Sequence, residues 1–416
     1  MHTPGSFTLP SRTMLAAALL ALLGFGHNIS AQDIDHLVSK GGEVRLHAAY
    51  QLGHTLVIPS NTHITCEAGA SLFDNPSAKV GSVLQIKGSG ISIEGCDIYA
   101  NRAPVLISFA AHSSAVSLVR NRLHSIDRAH GVLIDAPDIH GLKINNNTFD
   151  QVGYGILQNV RAADLTDVTI DGNTFSNVWA DAIELNDPVT VNCCGIQLTD
   201  VRASGIAIRH NKFRVPKHAD SNVVAGFCVG VAGAHDIEIS DNDCVAWNEG
   251  VHVEDRAYNI RILDNSITTD DHETKGEQSA IWIIDGQHMT IARNNIQDAA
   301  GDGIHITFDP THQASDIEIT DNKIAGCGGN GLFIAGGSLG PMNTRVHDNM
   351  VSRCAVPVHL AGSLKTLSFH SNRIDAKSGC VFAIPKNTNK ADVDIRDNKV
   401  ANSGEDANAT CAEQER

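Results

Sequence analysis

The amino-acid sequence predicts an all-β protein, a single-stranded right-handed parallel β-helix of about ten or more coils. Three observations support this. A motif marked by asparagine recurs along almost the whole chain, each copy carries two short stretches of alternating apolar and polar residues, and neither stretch is long enough for a helix.

The marker asparagines are Asn121, Asn147, Asn173, Asn211, Asn242, Asn265, Asn294, Asn322, Asn349, Asn372 and Asn398, at spacings of 23 to 38 residues. Representative copies read Val-Thr-Ile-Asp-Gly-Asn-Thr-Phe over residues 168–175 and Ile-Glu-Ile-Thr-Asp-Asn-Lys-Ile over 317–324. Each repeat is expected to hold one strand, a tight turn at Asn, and a Gly-led second strand such as Gly303-Ile304-His305-Ile306. A strand with one apolar face is unstable alone. Coils wound in one sense pair each strand with its copies above and below, which buries a continuous core. Asparagine suits the corner because it tolerates left-handed backbone and its side-chain amide can bond to the next one along the axis. A propeller would need four strands per repeat, and a leucine-rich repeat its Leu spacing.

At the N-terminus, an apolar run from Leu15 to Phe25 follows Arg12 and leads into small residues ending at Ala31. This pattern predicts a signal peptide over 1–31, then the β-helix over 32–403 and a tail over 404–416. The apolar run is too short to span a bilayer, so a secreted or periplasmic chain is expected. Gly, Asn, Asp, Ile and Val recur evenly, which argues against a patchwork of modules. The net charge of −16 makes nucleic acid and anionic membranes unsuitable partners.

The ten cysteines fit an oxidising compartment. Cys327 and Cys354 each stand five residues after an equivalent asparagine, so they should stack directly, as a disulfide or as a ladder of small buried thiols. Cys66 with Cys96, and Cys380 with Cys411, are further candidate pairs. The vicinal Cys193 and Cys194 have no evident assignment.

The Asn-turn repeats, together with Leu56-Val57-Ile58-Pro59-Ser60 and Gly69-Ala70-Ser71-Leu72, resemble the pectin-lyase-like superfamily of right-handed β-helices. The resemblance covers nearly all of the chain after the leader. It implies a carbohydrate-active β-helix, in a superfamily that includes pectate lyases, polygalacturonases, alginate-modifying enzymes and phage tailspikes. Such repeats specify fold rather than chemistry. The adjacent aspartates with a following Gly-His-Gly of polygalacturonases are missing, so that activity does not carry over. Phe308-Asp309-Pro310-Thr311-His312 resembles the Asp-Pro-His motif of mannuronan C5-epimerases, but Thr311 displaces the histidine and Asp-Pro is a common turn dipeptide.

Aligned Gly-led strands place equivalent residues in columns with about 4.8 Å between coils. The outward column reads Leu133, Leu157, Glu184, Cys228, His252, Trp282, His305 and Phe333, and the next Asp135, Asn159, Asn186, Gly230, Glu254, Ile284, Thr307 and Ala335. Just before the Gly or Ala stand Asp181, Glu249 and Asp302 in the central coils. Glu184, His252, Glu254 and Asp302 are therefore the candidate catalytic residues. Asp181, Glu249, Arg256, Trp282 and His305 are the candidate substrate contacts. Carboxylates and imidazole can supply a proton donor and a base, and an exposed indole offers a flat face to a sugar ring. Each residue alone is better read as ordinary polar surface, and the clustering is what sets the group apart. The longest insertions, over 187–203, 214–225 and 268–278, interrupt the same coils.

The expected function is cleavage of glycosidic bonds in a polysaccharide, with hydrolysis ahead of β-elimination. Elimination from a uronate wants a cation, and only Arg256 supplies one along these columns, unless Ca²⁺ is recruited; no other cofactor is expected. The rival readings are a lyase or uronate epimerase acting on an anionic glycan, and a glycan-binding or adhesion β-helix without catalysis.

Overall fold

The computed structural model describes residues 31–159, 164–187, 203–215, 226–246, 248–269, 278–308, 312–339, 342–376, 381–384, 388, 393–401 and 410–411. The leader predicted over 1–31 lies almost wholly outside these residues. A helix, Ala31–Ser39, begins the described chain, and Ile34 and Val38, one turn apart, are fully buried against the first coil.

From Gly42 to Cys411 the described chain forms three parallel sheets of 14 strands each, and every strand pairs with the third one after it. This is a β-helix in which one coil contributes one strand to each sheet. Sequence periodicity suggests two strands per repeat; the structure has three. The one overlooked follows the asparagine directly, as in Thr148–Asp150 and Thr174–Ser176. Those strands have three residues and a single buried one, too short for alternation to register.

Inward residues stack with their own kind. In the first sheet Ile144, Ile170, Ile208 and Ile239 are aligned, and in the second Phe149, Phe175 and Phe213 lie ring over ring at 4.6 and 5.0 Å. All are fully buried or nearly so. In a coil a strand is buried on one side only, so β-branched residues fill the interior and polar ones alternate outward.

All eleven marker asparagines are buried and joined into one ladder. Each Nδ2 donates to a strand carbonyl one coil back and, from Asn121 to Asn372, to Oδ1 of the next asparagine, as in Asn242 to Ile208 (2.9 Å) and to Asn265 (2.9 Å). The left-handed residue at this corner is the one before the asparagine: Asn146, Asp241, Asp264 and Asp321 all have φ between 54 and 56°. Asparagine is thus selected for its amide rather than for backbone tolerance. The eleven mark the fourth to the fourteenth coil. At the corner of the third coil Cys96 takes their place, its N–H bonded to Oδ1 of Asn121 and its sulfur to Cys66.

Cys327 and Cys354 are also disulfide-bonded, with Cα atoms 4.2 Å apart, as direct stacking requires. A third bridge joins Cys228 to Cys244. The side chains of Cys193, Cys194, Cys380 and Cys411 lie outside the described residues.

Candidate active site

Strands of the third sheet turn alternate residues outward. Cross-strand pairing runs Leu133, Leu157, Glu184, Gly230, His252, Trp282, His305, Phe333 and His359. Glu184, His252, Trp282 and His305 share one column, as the alternation predicts. Gly230, however, stands where Cys228 was expected. Cys228 is buried two residues earlier and bonded to Cys244. A slip of two preserves the in–out pattern, so alternation alone cannot detect it. In the next column Ala232 neighbours Glu254, and a register shift pairs Asn159 with Asp187 instead of Asn186.

Pointing outward does not expose these rings. His252 retains 9% of its accessible surface and His305 5%. They belong to a continuous row in which Phe227 lies flat on His252 at 4.9 Å, and Trp282 meets His252 edge-on at 5.5 Å and His305 at 5.2 Å. Phe333 and His359 extend the row. Trp282 is therefore a wedge between two imidazoles, with Nε1 buried and without a partner among the described residues, rather than the exposed platform expected from the sequence.

The acids fall into two groups. Asp181 is buried, and one carboxylate oxygen accepts the N–H groups of Gly226 and Phe227, both at 2.8 Å. Burial raises its pKa to about 6, against the lowering effect of those two bonds and of His252. Asp302 accepts the N–H and side-chain amide of Asn330 on one oxygen and meets Nδ1 of His305 at 2.9 Å on the other. Asp74 closes a corner near the N-terminus in the same way, taking N–H groups of Asn101, Arg102 and Ala103. Asp181 and Asp302, each just before its third-sheet strand, thus cap the corner of the neighbouring coil.

Glu249, His252 and Glu254 make the second group. Glu249 is 2% exposed and its carboxylate meets Nδ1 of His252 at 2.6 Å, while Glu254 lies 3.4 Å from Nε2. Burial opposes charge on His252, but the two carboxylates outweigh it and hold its pKa well above the usual range. Burial raises Glu249, offset by His252, and is reinforced by Asp181 and Glu254. For Glu254 burial works upward, but the bond and charge of His252 prevail, so its carboxyl titrates below the ordinary value. The result is a proton-holding series from the interior to the surface: a buried acid, an imidazolium, and a carboxylate with 36% of its side chain exposed.

Arg256 sits at the corner after Glu254 with a left-handed backbone, its N–H bonded to Asp285 at 2.9 Å, and its side chain is exposed. Glu184 occupies its place in the strand, but its side chain lies outside the described residues. So do nearly all of the three insertions, and Asp309, Pro310 and Thr311. The described ends of the insertions flank the third sheet on both sides of the central coils. Sequence reasoning overlooked Phe227, hidden beside an insertion, and Asn330, whose side chain fixes Asp302. Among the described residues no three carboxylate, imidazole or thiolate groups converge on a metal position.

Comparison with known proteins gives the following. A search of curated protein sequences finds no match. The solved structure of the Streptococcus pneumoniae surface protein and adhesin PfbA is similar at 13% identity, covering 90% of this chain and 97% of that one with a TM-score of 0.48. A Yersinia enterocolitica Family 28 exopolygalacturonase is similar at 12% identity, covering 91% and 76% with a TM-score of 0.47. The periplasmic alginate epimerase AlgG follows at 12% identity, covering 90% and 83% with a TM-score of 0.45. None of the three bears on chemistry here. The family profile described as right handed beta helix region matches residues 194–374 and 277–410, together more than half of the chain. With its asparagine ladder and triple parallel sheets, the chain belongs to the right-handed β-helix family.

Proposed function

We propose that this protein hydrolyses glycosidic bonds of a polysaccharide on the outer face of the third sheet, with Glu254 and His252 at the reacting centre. The observation that carries the proposal is the Glu249–His252–Glu254 series. A buried carboxylate orients an imidazolium whose second nitrogen faces a partly exposed carboxylate, which is the arrangement a proton donor needs. Asp302 and His305 supply the complementary side two strands away, and Glu184 extends the same column. Asp181 supports the site from within.

The surface suits a polymer. Fourteen stacked coils give a face roughly 60 Å long, which accommodates many sugar units in line. Net charge of −16 favours a neutral glycan over a polyanion. Arg256, beside Glu254, is the cation that an elimination mechanism would use. We also infer export to an oxidising compartment, which the three disulfides favour.

The test is a screen of purified protein on neutral and uronate polysaccharides, with and without Ca²⁺. New reducing ends are expected, with loss of turnover in Glu254→Gln. Absorbance from an unsaturated uronate would replace hydrolysis with elimination, and saturable binding without product would make the chain a glycan-binding module. Undiminished turnover in Glu254→Gln would remove the site.

A further inference from the structure

The expected companion acid, Asp302, is already occupied. One oxygen holds the backbone and side-chain N–H groups of Asn330, and the other holds Nδ1 of His305 at 2.9 Å. Only 12% of its side chain is exposed. A carboxylate so engaged is poorly placed to take a proton from water itself. What it presents outward is His305.

Building on the hydrolytic reading above, we infer that His305 is the water-activating base and that Asp302, braced by Asn330, is its positioning residue. Nδ1–H donated to Asp302 leaves the lone pair of a neutral ring on Nε2. That nitrogen bonds to none of the described residues, although 93% of the side chain is covered and the ring is clamped between Trp282 and Phe333. His252 differs in kind: both of its nitrogens face carboxylates. One histidine is thus built to give a proton and the other to receive one.

The two strands are separated by the one that carries Trp282. Their imidazoles are about 10 Å apart, just beyond the roughly 6.5–9.5 Å that separates the two carboxyl groups of inverting glycosidases and leaves room for a water beside the sugar. Nε2 of His305 takes a proton from that water as its oxygen bonds to the anomeric carbon. The glycosidic C–O bond breaks, and the leaving oxygen takes the proton held between His252 and Glu254. His305 ends with one proton more and His252 with one fewer, and solvent exchange restores both. The anomeric carbon is attacked from the side opposite the leaving group, so its configuration inverts.

The experiment uses the full chain and the glycan it hydrolyses. Proton NMR of the first product is expected to show inversion. His305→Ala is expected to lower kcat by roughly 10²–10⁴-fold, with part of the activity restored by added imidazole. Should His305→Ala fold poorly, His305→Gln keeps a side-chain amide for Asp302 and is expected to lose the same activity. Asp302→Asn should lower kcat with little change in KM. A retained configuration, an active His305→Gln, or an inactive His305→Ala that folds but that imidazole does not rescue overturns this assignment and leaves hydrolysis at Glu254 standing. A wild-type chain that releases no reducing ends from any glycan overturns both.

Discussion

Glu249 meets Nδ1 of His252 at 2.6 Å from a position with 2% exposure, so the imidazole is the partner of a buried charge as well as a surface group. Its removal and the removal of Glu254 should therefore differ sharply. His252→Ala strands the Glu249 carboxylate, which should cost about 3–5 kcal/mol at neutral pH. The loss should shrink in acid, where Glu249 takes a proton. Glu254→Gln leaves a partly exposed amide and should cost under about 1 kcal/mol. Denaturant midpoints of both variants at neutral and acidic pH check this, and equal losses would mean that Glu249 is not held by His252.

Asp181 predicts a second pH effect. Its folded pKa of about 6 lies above the ordinary 3.8, so the folded chain holds this proton more tightly than the unfolded one. The stability it contributes is complete below about pH 4 and is lost as pH rises through about 6. Relative to Asp181→Asn, which cannot titrate, the wild-type chain should lose roughly 3 kcal/mol from below about pH 3 to above about pH 7, about 2 kcal/mol of it between about pH 4 and 6. A pH-independent difference between the two proteins would show that Asp181 is not perturbed.

These features differ in how far the sequence exposes them. The asparagine ladder is legible because one buried contact recurs at the same corner of eleven consecutive coils. His252, Trp282 and His305 are legible as a column because in–out alternation survives in their strands. Burial is not legible, since a residue may point outward and still be covered by the rings beside it. Nor is the role of Asp181 or Asp302, whose partners are backbone N–H groups contributed by the next coil. Gly230 was displaced by Cys228 because a two-residue slip beside an insertion leaves the pattern intact.

The ladder itself should be costly to break. In Asn242→Ala the carbonyl of Ile208 and the N–H of Asn211 lose their side-chain partner, while the side-chain amide of Asn211 keeps its bond to Ile170. Each stranded buried group costs about 1–3 kcal/mol, so a total of roughly 2–6 kcal/mol is expected. Asn242→Asp keeps an acceptor for Asn211 but loses the donor to Ile208 and Asn265, and it should also be destabilised. Thermal melts decide, and an Asn242→Ala chain as stable as wild type would reduce the ladder to a by-product of stacking.

Cys228 and Cys244, 16 residues apart, close a loop whose constraint on the unfolded chain is worth about 3 kcal/mol. The bridge has a second consequence. Cys228 follows Phe227, whose N–H is held by Asp181 and whose ring lies flat on His252. Replacing both cysteines by serine should therefore lower stability by about that amount and also loosen the ring over His252, so that activity falls further than in a Cys66→Ser, Cys96→Ser double variant. The comparison matters because both pairs stabilise, but only one touches the site. Non-reducing peptide mapping should recover Cys66 with Cys96, Cys228 with Cys244 and Cys327 with Cys354. A peptide linking Cys228 to Cys193 or Cys194 instead would move Phe227 off His252 and withdraw this support from the candidate centre.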